Sequence, residues 1–174
     1  MAFIKMGKEI ARDEGALLGK WMGGDSCNAN STANWTLTDC TMAHNTDHFG
    51  VGDGRGYYRV TRTHSSQHIR KDLTTALTID RVYKVLIQYR TNVAMQYNGG
   101  CHLDNKAAGD GSGGSTAGTI PSSSIIDSLP GWTQLEFNYT AIVASDEMRL
   151  LLWLVNNGDT LDFRQYNVYE ALIP

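Results

Sequence analysis

The sequence predicts an all-β protein, an antiparallel β-sandwich, and three observations carry that prediction. The first is the two-residue alternation of Trp132–Ala141, where Leu135, Phe137 and Tyr139 interleave with Gln134, Glu136 and Asn138. That period belongs to a half-buried strand. The second is Met148–Val155, a nearly continuous apolar run that fits a strand deep in a sandwich. The third is the turn chemistry at Ala144-Ser145-Asp146-Glu147 and Asn156-Asn157-Gly158-Asp159, which brackets that run before a closing strand at Thr160–Glu170.

The 174-residue chain is about one domain. A chain of that size buries roughly 70% of its unfolded surface and needs no staples. Only 19% of the residues are charged, and the composition is rich in glycine (18), Ser, Thr and Asn, as in loop-rich all-β proteins. A net charge of −3 with one spread basic cluster, Arg55–Lys71, argues against a nucleic-acid binder, which needs clustered cations for phosphates. The three cysteines, Cys27, Cys40 and Cys101, lack metal-type spacing and read as reduced, partly buried thiols. Charged residues interrupt the first 14 positions, so no signal peptide is expected, and no run is long enough to span a membrane as a helix. Without a secretory route, the sequons at Asn30, Asn34 and Asn138 carry no expected function.

Along the chain, residues 1–20 form a charged N-terminal arm with Ile4, Ile10, Leu17 and Leu18 as apolar anchors, and a short helix over Lys5–Leu18 is weakened by Gly7 and Gly15. The domain is expected over residues 21–174, opening with a Gly/Asn/Ser-rich loop at Trp21–Asn34. A first strand follows at Trp35–Met42, then a polar linker at His44–Asp53. Tyr57–Thr63 reads as a strand with Tyr58 and Val60 inward and Arg59 and Thr61 outward. Ile69–Leu77 begins another extended segment. Arg81–Thr91 is the clearest alternation of the first half, with Tyr83, Val85, Ile87 and Tyr89 inward and Lys84, Gln88 and Arg90 outward. A short strand is expected at Val93–Tyr97. Asn98–Pro130 then shows little periodicity and reads as one long Gly-rich loop, with a helical turn at Ser123–Ser128.

The order of these elements resembles the jelly-roll carbohydrate-binding modules appended to polysaccharide-degrading enzymes. The residues that carry the resemblance are Trp35-Thr36-Leu37, Gly56-Tyr57-Tyr58-Arg59-Val60, Leu77–Val85, Gly131-Trp132-Thr133-Gln134-Leu135 and Asn167-Val168-Tyr169-Glu170, spanning about residues 30–172. The resemblance implies an antiparallel jelly-roll β-sandwich with an N-terminal arm and a long Gly-rich loop. Members of this family also recur in bacteriophage particle proteins. A structural calcium common in the family would sit near the last strand. Here Arg164-Gln165 occupy the place of its acidic pair, leaving Asp162 as the one candidate ligand. Sugar platforms need aromatic rings flanked by hydrogen-bonding groups. Tyr57 and Tyr97 are the rings expected to be exposed, with Arg59, Lys84, Gln88 and Glu136 as polar partners, while Trp153 reads as core.

No constellation supports catalysis. His44-Asn45-Thr46-Asp47-His48 is a lone loop without further metal ligands. Cys101 and His102 lack the second partner of a nucleophilic site, and Glu136 with Asp162 is a bare nominee for a glycosidase pair. The chain is therefore expected not to be an enzyme and to need no cofactor. The first expectation is a structural protein of a viral particle, a bacteriophage capsid decoration or cement protein, located in the virion. Its partner would be a major capsid or other virion protein, and it would form a homo-oligomer, a trimer by family resemblance. The alternative is a carbohydrate-binding module or adhesin whose partner is a cell-surface polysaccharide or a plant or microbial polysaccharide. Neither reading involves a nucleic acid or a membrane.

Overall fold

A computed structural model describes residues 18–46, 55–65, 67–106, 115–122 and 132–171. The expected anchors Ile4, Ile10 and Leu17, the helix over Lys5–Leu18 and the turn at Ser123–Ser128 lie outside them.

The described residues form two antiparallel sheets packed as a sandwich, with one 3-10 turn at Thr32–Asn34. The strands are β1 (Leu18–Asp25), β2 (Thr36–Thr38), β3 (Cys40–Thr46), β4 (Gly56–Arg62), β5 (His68–Asp72) and β6 (Val82–Thr91), followed by β7 (Gly99–Asp104), β8 (Ser115–Ile120), β9 (Thr133–Thr140), β10 (Glu147–Leu151) and β11 (Thr160–Ala171). The six-stranded sheet runs β3-β4-β11-β6-β9, with β1 added on β11, and the five-stranded sheet runs β2-β5-β10-β7-β8. Their inner faces meet in a core that includes Tyr58, Val60, Tyr83, Val85, Ile87, Tyr89, Phe163 and Val168 from one sheet. Ile69, Cys101, Leu103, Met148 and Leu150 face them from the other. The expected inward sets of β4 and β6 are thus the observed ones.

Three differences from the sequence-based expectations have local causes. Trp35–Met42 is two strands, because Asp39 adopts φ +53° and passes the chain from one sheet to the other. Among residues other than glycine, Asn and Asp adopt that left-handed conformation most readily. Val93–Tyr97 is a connection, and two strands, β7 and β8, lie within Asn98–Pro130, the stretch expected to be one long Gly-rich loop. In β7, Cys101 and Leu103 point inward while Gly100, His102 and Asp104 alternate outward, an alternation that glycine and histidine disguise. Trp21, expected in a loop, belongs to β1, which crosses the expected junction at 20/21 and begins with Leu18 opposite Ala171.

The long strand β11 organises the six-stranded sheet. On one side it pairs with β6 over its whole length; on the other, β4 takes Thr160–Phe163 and β1 takes Tyr166–Ala171. The exchange of partner occurs at a bulge between Arg164 and Asn167, where Gln165 has φ +54°. The extra residue resets the alternation, so that Phe163 and Tyr166 both face the core. Gly24 meets the bulge with φ +135°, and a Cβ there would lie 2.3 Å from the Tyr166 carbonyl oxygen. Glycine is the residue that allows this approach.

A buried polar cluster closes one end of the core. The Asp25 carboxylate accepts hydrogen bonds from Lys71 Nζ (2.6 Å), Ser31 Oγ (2.7 Å), the Cys27 amide (2.8 Å) and Trp35 Nε1 (3.2 Å). Burial pushes this carboxyl up, but the bonds from Lys71, Ser31 and Cys27 outweigh it and hold the group below its ordinary value.

Candidate functional site

The outer face of the six-stranded sheet gathers five of the six expected glycan contacts. Strand register decides this. Asp162 on β11 pairs with Arg59 on β4 and with Arg90 on β6, placing all three side chains on one rung opposite the core. On the next rung Arg164 pairs with Gln88, which pairs with Gln134 on β9, and Tyr57 follows the Tyr58–Phe163 pair beside Arg164. Beyond the bulge come Asn167, Leu86 and Glu136, then Trp21, Tyr169, Lys84 and Asn138.

Aromatic rings stand at both ends of this face. At one end Tyr57 and Trp132 meet edge to face at 5.7 Å. The Arg90 guanidinium lies 4.6 Å from the Tyr57 ring and 4.4 Å from Trp132, while Arg164 stacks on Trp132 at 4.3 Å. These are cation–π distances. At the other end Trp21 is 46% exposed and donates its Nε1 to Asn167 Oδ1 at 3.3 Å, with half-buried Tyr169 opposite it in register. The two ends are roughly 15 Å apart along β11, at about 3.3 Å per residue. Polar groups fill the floor between them: Arg164 Nε donates to Gln88 Oε1 at 2.8 Å, Gln88 Nε2 donates to Gln134 Oε1 at 2.8 Å, and Lys84 pairs with Glu136.

Two expected rings are placed differently. Tyr57, expected to be exposed, is only 7% exposed, because Arg90 and Trp132 cover it. Tyr97 is 57% exposed but lies in the β6–β7 connection, edge to face with Trp153 at 5.5 Å. Trp153 is itself half-buried against the core and follows β10 of the other sheet. Sequence reasoning did not nominate Trp21, Trp132 or Tyr169 as site residues. Their signal was available for Trp132, one position before a clean strand, and hidden for Trp21 by the Gly-rich stretch around it.

Asp162, the candidate calcium ligand, is 3% exposed and engaged by two guanidiniums. Arg59 donates Nε to Oδ1 at 2.8 Å and a terminal nitrogen to Oδ2 at 2.9 Å, and Arg90 donates Nε to Oδ2 at 2.9 Å. A cation there would have to displace both arginines. Its nominal glycosidase partner Glu136 is ion-paired to Lys84. His44 lies in β3, its ring bonded to the Cys27 carbonyl at 2.9 Å, while Asp47 and His48 fall outside the described residues. Among the described residues, no three His, Cys, Asp or Glu side chains are grouped to hold a metal. The three cysteines are buried thiols, unpaired as disulfides, and desolvation pushes Cys101 up to about 12 and Cys40 to about 11. Neither is a nucleophile at neutral pH.

The other sheet presents a different outer face, in which charges neutralise one another. Asp72, Glu147 and Asp104 share one rung, with Lys106 on Asp72 (2.9 Å), Arg149 on Asp104 (2.8 Å) and Arg70 near Glu147 (3.8 Å).

No protein-family model matches the chain, and no curated protein sequence matches it. Solved structures do match its fold. The family 22 xylan-binding domain of Paenibacillus barcinonensis Xyn10C aligns with a TM-score of 0.58 at 14% identity, over 90% of this chain and 98% of that one. A family 29 carbohydrate-binding module aligns at 0.53 and 10% identity, over 86% of each chain. The arabinose-bound α-L-arabinofuranosidase MgGH51 aligns at 0.60 and 15% identity; the chain covers 27% of that enzyme's length. The chain likewise covers 28% of the xylohexaose-complexed module pair of Clostridium thermocellum xylanase 10B. The fold is therefore that of the jelly-roll carbohydrate-binding modules. Of these four, the two that extend over most of both chains are modules, and the other two are parts of longer chains that contain a glycoside hydrolase.

Proposed function

We propose that this chain is a non-catalytic carbohydrate-binding module that takes a polysaccharide segment across the outer face of the six-stranded sheet. One observation carries the reading: Trp21 and Tyr169 at one end, and Trp132, packed on the buried Tyr57, at the other, bracket a polar floor on a single sheet face. Aromatic rings stack on the apolar faces of sugars, and amide and charged side chains bind the hydroxyls between them. The spacing of the two ends suits a chain of several sugar rings rather than one. The fold supports the reading, because module structures of this shape include a xylan-binding domain and a module complexed with cellulohexaose.

The acidic groups on this face serve ion pairs, which supports binding over hydrolysis: Asp162 holds two arginines and Glu136 holds Lys84. The comparisons favour this glycan-binding alternative over the viral-particle component that the sequence placed first. The test is calorimetric titration of the chain with xylohexaose, cellulohexaose and a panel of plant and microbial polysaccharides. Saturable binding to at least one glycan without release of reducing sugar is the expected result. Absence of binding across the panel overturns the proposal.

A further inference from the structure

A strand at the margin of a sheet presents backbone N–H and C=O groups that can pair with another chain, and sandwiches block such margins with short strands, charges, bulges or a covering segment. Among the described residues, four marginal strands carry one of these. β2 is three residues long. β8 meets β7 across a register shift and contains Gly118. β9 holds Glu136, ion-paired to Lys84. β1 is covered where the amides of Thr74 and Thr75 donate to the Met22 carbonyl at 2.9 and 3.2 Å.

β3 has none of these protections. It pairs with β4 residue by residue over Cys40–Thr46 without a register shift, and among the described residues β4 is its only sheet partner. The strand contains no Asp, Glu, Lys, Arg, Gly or Pro. Thr41, Ala43 and Thr46 are exposed along it. On the same flank of the sandwich, β2 leaves Leu37 37% exposed, although its cross-strand partner Ile69 is fully buried. This flank therefore joins an open backbone edge to apolar surface that gains from leaving water.

We propose that β3 pairs antiparallel with β3 of a second copy of this chain. The strand is complementary to itself. A two-fold axis at Ala43 sets Ala43 against its own copy, Thr41 against Asn45 and Met42 against His44, and it engages the whole of Cys40–Thr46. No like charges meet, and Thr and Asn side chains can bond across the ladder. The faces also agree: Ala43 stands outward beside its β4 partner Arg59, while Met42 and His44 turn inward beside Val60 and Tyr58. The two six-stranded sheets become one, with both outer faces looking the same way. On the glycan-binding reading above, on which the dimer itself does not depend, two binding faces then meet one long polysaccharide or a surface of repeated glycans.

The experiment is light scattering after size exclusion on the full chain over a range of concentrations, without glycan. The expected result is a monomer–dimer equilibrium with a Kd of about 10–100 µM, as suits a small interface. Ala43→Glu sets two carboxylates face to face at the axis and should raise that Kd at least about fivefold. Ala43→Cys should form an intermolecular disulfide on mild oxidation, because directly opposed residues of an antiparallel ladder lie within disulfide reach. Thr140→Cys, at the end of β9, should stay unlinked under the same conditions. Ala43 and Thr140 are exposed and the three native cysteines are buried, so these variants leave the core intact and report only new contacts. A monomer at every concentration overturns the proposal. So does a dimer that Ala43→Glu does not weaken, or cross-linking through Thr140→Cys as fast as through Ala43→Cys. None of these outcomes bears on whether the chain binds a glycan.

Discussion

Arg90 on β6 donates its Nε to Asp162 on β11 at 2.9 Å, and both side chains are almost entirely removed from water. The pair spans 72 residues of sequence, yet it is a direct cross-strand neighbour on the face opposite the core. With Arg59 on the other side of the carboxylate, it ties three strands together and carries the rings of Tyr57 and Trp132 on its cationic end.

Removing the carboxylate takes away the acceptor that Arg59 and Arg90 share. Asp162→Asn should destabilise the chain by about 3 kcal/mol, the lower part of the range for breaking a buried ion pair, because Arg59 remains half in water. Urea unfolding followed by tryptophan fluorescence measures it. The same wild-type protein should show an unchanged melting temperature in EDTA and in millimolar calcium, since Asp162 already has two guanidinium partners. A calcium-dependent rise of several degrees would show that the arginines yield to the ion.

The rings divide the glycan contacts from the bystander. Trp21→Ala and Trp132→Ala should each weaken binding of the best ligand by about 1–3 kcal/mol, the worth of a lost stacking surface. Tyr97→Ala should leave affinity within error, because Tyr97 packs on Trp153 away from the six-stranded sheet. Calorimetry on the three variants checks this. Loss confined to Tyr97→Ala would move the site to the Tyr97–Trp153 pair.

Acid should weaken the fold through His102. Its imidazole lies over Gly100, where a Cβ would come within 2.3 Å of Nε2, and burial followed by the nearby Arg149 charge lowers it from 6.5 to about 4. Between those values the unfolded chain binds more protons than the folded one. Stability is therefore full above about pH 6.5 and falls as the pH drops toward 4. His102→Gln should flatten that decline by about 1–2 kcal/mol, after allowance for solvent access to the ring. Urea midpoints measured every half pH unit from 4 to 7.5 give the comparison; identical slopes in the two proteins would discard it.

Legibility followed the strength of local pattern. Arg81–Thr91 and Trp132–Ala141 were read with their faces correct, because each alternates through a whole strand with large apolar residues on one side. Gly99–Asp104 was missed because Gly100 and His102 give the outward positions no consistent polarity. Asp39 and Gln165 were unreadable for another reason. Each is an ordinary polar residue whose positive φ is imposed by chain direction and by pairing partners distant in sequence.

The alternation of apolar and polar residues determined the sandwich and the outward placement of Arg59, Lys84, Gln88 and Glu136, since side chains one apart on a strand must point to opposite faces. What only the tertiary structure decided was company. Hydrogen-bond register between β4, β11, β6, β9 and β1 places Tyr57, Arg90, Trp132, Arg164 and Trp21 on one face, and sends Tyr97 elsewhere. Register is set by pairing between strands up to about a hundred residues apart and by the bulge at Gln165, neither of which a local period encodes.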